Sequence, residues 1–235
     1  MEVDTSASPD LKVSLDRIEA AVSSGDTDLR TLGFWRVVAR VKPDRMLVDE
    51  HADQIGRIDT AAFRSGVKFR IPVWAGNLIL TVGTVVGGVA AWLAYNWTSP
   101  LWKGLALVAA GAIWAVTVHS PAHWLVGRAI GLRFTDYFLG GPPPPRPGLK
   151  TAYATYLRAD PSSRAWMHAS GAIATKLAPF VALALWPGSG APWWSALGLL
   201  ALGVVQIVTD VVLSTKSSDW KKFAREKAVA RSREP

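Results

Sequence analysis

Ile71–Trp102 reads IPVWAGNLILTVGTVVGGVAAWLAYNWTSPLW, 32 residues between Arg70 and Lys103 without one Asp, Glu, Lys or Arg. A helix needs roughly 20 residues to cross a ~30 Å hydrocarbon layer, so this stretch contains a full crossing. Soluble helices of that length carry a polar face, and this one has none. The fold class that follows is all-α: a polytopic membrane protein.

Two further runs repeat the signal. Gly104–Gly127 is uncharged when His is counted as neutral, and Leu177–Thr209 is uncharged again, with Ala165–Thr175 just before Lys176. The last run is interrupted by WPGSGAPWW (Trp186–Trp194), a turn rich in Pro and Gly, and so divides into two helices. The expected spans are about 73–96, 102–124, 165–186 and 193–214. Trp74, Trp97, Trp102, Trp124, Trp166, Trp186, Trp193 and Trp194 fall at their ends, as an aromatic belt requires.

An even number of spans puts both termini on one side. Of 26 Lys and Arg, only Lys103 and Lys176 lie outside residues 1–72, 125–164 and 215–235. Positively charged loops stay inside, so the expectation is a multi-pass protein of the cytoplasmic (inner) membrane with both termini cytoplasmic. The formal net charge of +8 is accounted for by this topology and by the lipid bilayer as partner, so no nucleic acid is required.

Three regions follow. Residues 1–70 form a cytoplasmic helical region, with PDLKVSLDRIEAAVSS (9–24) expected as an amphipathic surface helix and a break at Lys42-Pro43. Residues 71–215 form the four-helix transmembrane domain, with a cytoplasmic loop at 125–164 that contains a stiff polyproline connector, GGPPPPRPG (Gly140–Gly148). Residues 216–235 form a basic tail. The start, MEVDTSASPDLKVSLDRIEA, has no basic and apolar leader pattern. The absence of cysteine excludes disulfides and thiolate ligands.

Ionisable residues within or beside spans are costly and mark sites by default. His119 and His123 are four apart at the end of span two and share a helix face, although Pro121 between them bends the helix. His168 opens span three and Asp210 closes span four. The up-and-down order brings all four to one depth. Three imidazoles and a carboxylate suit zinc, with iron as the alternative. Lys176 competes for Asp210, the sole acid in any span, although it lies about 12 Å deeper than His168 by helix rise.

HSPAHWLVGRAIGLRFTDYFLGG (His119–Gly141) resembles the core of the site-2 protease family, intramembrane zinc metalloproteases with His-Glu-x-x-His on a membrane helix. RAWMHASGAIAT (Arg164–Thr175) takes the place of the family's second motif, and VQIVTDV (Val205–Val211) that of its third. The resemblance covers about residues 100–215. It implies His119, His123 and Asp210 as zinc ligands, with His168 as an added fourth. Ser120 stands where the catalytic Glu would be, and serine cannot serve as the base for a metal-bound water. Pro121, Ala172 and Val211 depart from the pattern as well.

The expected function is therefore an intramembrane His/Asp metal site on a protease-like scaffold without peptidase activity, one that binds a membrane-spanning protein partner. Two alternatives remain open. One is an active metallohydrolase with another base, Asp136 or Asp160. The other is an accessory subunit holding haem or a chlorin through His.

Overall fold

The computed structural model describes residues 7–140, 146–212 and 218–233. The chain divides into two compact units. One comprises Met1–Val73, Arg128–Arg164 and Glu226–Pro235, the other Trp74–Gly127 and Ala165–Arg225. The N-terminal region thus belongs to a larger unit that also takes in most of the expected loop and the end of the tail.

The first unit begins with α1 (Ala7–Ser23), α2 (Phe34–Val41) and α3 (Arg45–Gly66). Leu11, Leu15, Ile18 and Val22 fall at helical spacing on α1 and are buried. They join Phe34, Val37, Val38 and Val41 of α2 and Val48, Ile55 and Ile58 of α3 in one core. The apolar face of α1 is therefore covered by protein, not by a membrane surface as the sequence had suggested. Gly33, at φ 76°, takes the left-handed turn into α2. The break at Lys42-Pro43 is present, and Asp44 caps α3 by accepting from the Met46 and Leu47 amides at 2.8 and 3.3 Å.

Three short strands were not anticipated: β1 (Phe69–Pro72), β2 (Phe134–Gly140) and β3 (Arg146–Thr151). They pair antiparallel in the order β1-β2-β3. Gly140 lies opposite Arg146, so the expected polyproline connector has strands on both sides, and its residues 141–145 lie outside the described residues. On the sheet, Phe138 meets Phe63 of α3 edge-on at 5.1 Å, and Lys150 pairs with buried Asp59 at 2.5 Å.

Four helices among the described residues are long and apolar enough to cross a membrane: Val73–Asn96, Pro100–Thr117, Pro161–Ser189 and Trp193–Asp210. The fold is that of a polytopic helical membrane protein. The elements are α4 (Val73–Asn96), α5 (Pro100–Thr117), α6 (His119–Ala129), α7 (Tyr153–Arg158), α8 (Pro161–Ala184), α9 (Trp186–Ser189), α10 (Trp193–Val212) and α11 (Asp219–Ser232). Of these, α7 belongs to the first unit, and the division between units falls within α4 (after Val73), α6, α8 and α11. Leu78, Ile79, Val82, Val85, Val86 and Val89 of α4 are exposed, as are Leu197, Leu200, Val204 and Val208 of α10. Water would not tolerate such contiguous apolar faces, whereas acyl chains would.

The second span is shorter than expected. Helix α5 stops at Thr117 and α6 starts anew at His119, with Pro121 in its first turn, where a missing amide costs nothing. Small residues let the helices approach one another. A Cβ at Gly87 would come within 2.5 Å of Trp114 Nε1, which donates to the Thr84 carbonyl at 3.0 Å. Gly87→Val is expected to cost about 1–3 kcal/mol by overpacking. Thermal unfolding in detergent would read this as a lowered midpoint, with Gly88→Val, which meets nothing within 4 Å, as the control.

Candidate metal centre

His119 and His123 lie just beyond the end of α5, in the first turns of α6. The four-residue spacing sets their rings 4.8 Å apart and perpendicular. Both rings turn one nitrogen to helix α8. His119 Nδ1 is 2.9 Å from Thr175 Oγ1, and His123 Nδ1 is 2.6 Å from the Met167 carbonyl. Both turn Nε2 to the same atom, Asp219 Oδ2, at 3.4 Å from His119 and 3.2 Å from His123. The other oxygen of Asp219 accepts from Lys222 at 3.0 Å. His119, His123 and Asp219 form a group able to hold a metal ion, with their ligand atoms within 4.8 Å of one another.

Two of the expected ligands are thus brought together, and the carboxylate among them is Asp219, the first residue of α11. Asp210 instead forms an ion pair with Lys176 at 2.5 Å. The reason is physical: a lysine inside a span needs a counter-charge, and Asp210 is the acid on the facing helix. His168 also lies outside the group. Its neighbour Met167 contributes the carbonyl that His123 Nδ1 meets, but the His168 imidazole is not among the clustered ligand atoms. Asp136 lies in β2, and Asp160 accepts from the Ser163 amide at 2.8 Å at the start of α8, both in the first unit.

The protonation of the group is constrained. A carbonyl oxygen only accepts, so His123 Nδ1 carries a hydrogen, and Nε2 of the neutral ring is then an acceptor facing a carboxylate oxygen. Such a pair requires a cation between them, either a proton or a metal. Burial and then repulsion from His123 hold His119 below the ordinary imidazole range, an effect that Asp219 only partly offsets. Burial opposes the charge on Asp219, but the His123 contact and the charges of Lys222 and His123 outweigh it, so the carboxyl stays well below its usual range. Neutral His119 and ionised Asp219 are the forms that ligate a metal, and an ion there would take the place of the proton on His123.

The two Nε2–Oδ2 distances match the spacing of two ligand atoms on one ion, and they match hydrogen bonds equally. Bonds of 2.0–2.1 Å in tetrahedral geometry set ligand atoms about 3.3 Å apart. Thr175 and the Met167 carbonyl hold the outer ring nitrogens as metal-bound histidines usually require. Gly171 of α8 provides the room, since a Cβ there would fall 2.3 Å from His123 Nε2. Gly171→Ala is therefore expected to push His123 off the site and weaken metal binding by at least the roughly 10–100-fold seen when ring-orienting partners are lost. Competitive titration against a chromophoric chelator would measure the change.

A cavity of about 550 Å³ adjoins the group. His119, Thr175, Lys176, Asp210 and Asp219 line its polar part, and Ala112, Val116 and Leu202 its apolar part. An ion held by these three residues would keep a fourth coordination position open toward this space. No family model, curated protein or solved structure matches this chain.

Proposed function

We propose that the protein is a multi-pass protein of the cytoplasmic membrane that binds one zinc ion at His119, His123 and Asp219 and does not cleave peptides. The observation that carries this reading is the double approach of two imidazole Nε2 atoms to one carboxylate oxygen. Without an ion, His123 would be an imidazolium and His119 a neutral ring that donates Nε2–H to Asp219 while Nδ1 accepts from the Thr175 hydroxyl. A single dication answers both contacts at once. Zinc suits two imidazoles and a carboxylate; iron is the alternative ion.

The likeness to the site-2 protease family motivates the peptidase part. Ser120 offers no proton acceptor where that family has a carboxylate, so no general base stands there to take and pass on the proton of a zinc-bound water. The reading that remains is a metal-binding membrane protein that engages a membrane-spanning partner. The concentration of Lys and Arg in residues 1–72, 125–164 and 215–235 supports termini on the cytoplasmic side.

Metal analysis of the protein purified in detergent is expected to give about one zinc per chain, in keeping with three protein ligands and one open position. A fluorogenic membrane-helix peptide is expected to remain intact in its presence. Metal-free protein that also fails to take up added zinc would refute the site. Zinc-dependent cleavage would refute the absence of peptidase activity while leaving the site standing.

A further inference from the structure

The cavity beside the metal group holds more polar chemistry than a structural ion needs. Lys176 and Asp210 form an ion pair inside the spans, an arrangement costly enough to imply use. Gln206 Oε1 is buried there without a hydrogen-bond partner among the described residues. The charges pair off: Lys176 with Asp210 and Lys222 with Asp219. A bound dication is left without a counter-charge at its open position, so the occupant supplies an anionic oxygen. The cavity continues from this polar end to Ala112, Val116 and Leu202, and Val116 is 73% exposed on the apolar outer surface. Small side chains at Ala112, Ala115 and Ala172 keep the passage open.

We propose that this cavity binds an anionic amphiphile, with an oxyanion head on the open coordination position and a single alkyl chain along Val116 and Leu202 toward the lipid. The proposal rests on the metal reading above. A free anion would use the head position alone, whereas an uncharged lipid would leave the dication uncompensated.

The test uses the full chain in a neutral detergent, loaded with Co²⁺ in place of zinc, with metal content measured first. Dodecyl phosphate is expected to shift the visible bands of the cobalt saturably. Inorganic phosphate is expected to bind at least about tenfold more weakly, the effect of burying roughly two methylenes, and dodecanol to leave the bands unchanged. Ala112→Phe, at an exposed lining position, and Val116→Trp are expected to weaken dodecyl phosphate at least about tenfold while cobalt remains bound, because each fills the space of a few methylenes. Bound cobalt with no shift, equal affinity for inorganic phosphate, or unchanged affinity in both variants would overturn the proposal and leave the metal site intact. A chain that takes up no cobalt and no zinc would overturn the metal reading and this proposal with it.

Discussion

Asp219→Ala is expected to strip the metal from the protein, as are His119→Ala and His123→Ala, whereas Asp210→Asn and His168→Ala are expected to keep it. Among the described residues, Asp219 supplies the only carboxylate oxygen that both Nε2 atoms approach within 3.4 Å. Removing it leaves two imidazoles and no charge to offset a dication. The loss should exceed the roughly 10–100-fold cost of disturbing a ligand's outer partner. Asp210→Asn leaves Lys176 without its counter-charge inside a span, so that variant should lose stability without losing the ion. The variants separate two carboxylates only nine positions apart in the chain. Metal retained in Asp219→Ala and lost in Asp210→Asn would return the ligand role to the acid of the fourth span.

The four spans were legible because a hydrocarbon layer imposes a length and excludes charge, and both demands are local. The histidine pair was legible for the same reason, since four-residue spacing fixes a shared face. Asp219 was not. It sits in a segment whose excess of Lys and Arg reads as a headgroup-binding tail, and only its place at the start of a helix set it apart. The amphipathic stripe of α1 shows that an apolar face forms but not what covers it; Leu11 and Leu15 pack as well on protein as on lipid. The sheet escaped notice because FTDYFLG and RPGLKT lack clear alternation and flank a proline run. Strand pairing, moreover, depends on Phe69–Pro72, some 65 residues upstream of β2.

Glu226→Ala is expected to produce the largest loss of stability in the first unit. Arg164 is 0% exposed, and its Nε donates to Glu226 Oε2 at 2.9 Å. Lys42 pairs with the other carboxylate oxygen, to which the Tyr156 hydroxyl also donates at 2.7 Å. Arg164 Nη1 meanwhile donates to the carbonyls of Tyr156, Leu157 and Ala159 at the end of α7. Deleting the acid strands a buried guanidinium and an ammonium together, an error that costs about 3–5 kcal/mol in comparable buried pairs. For a chain of this size that corresponds to a fall of roughly 6–20 °C in the thermal midpoint. Acid should act in the same way. Burial opposes the charge on Glu226, but Lys42 and Arg164 outweigh it and hold the carboxyl below its ordinary value of 4.5. The stabilisation is therefore complete above pH 4.5 and is lost as the pH falls through that lowered value. The Tyr156 hydroxyl, raised well above 10 first by burial and then by the charge of Glu226, stays protonated and keeps donating throughout. Unfolding midpoints measured between pH 3 and 7 should show this acid limb in the parent chain and a shallower one in Glu226→Ala. Identical limbs in the two would mean that the carboxylate is not the group holding Arg164 in place.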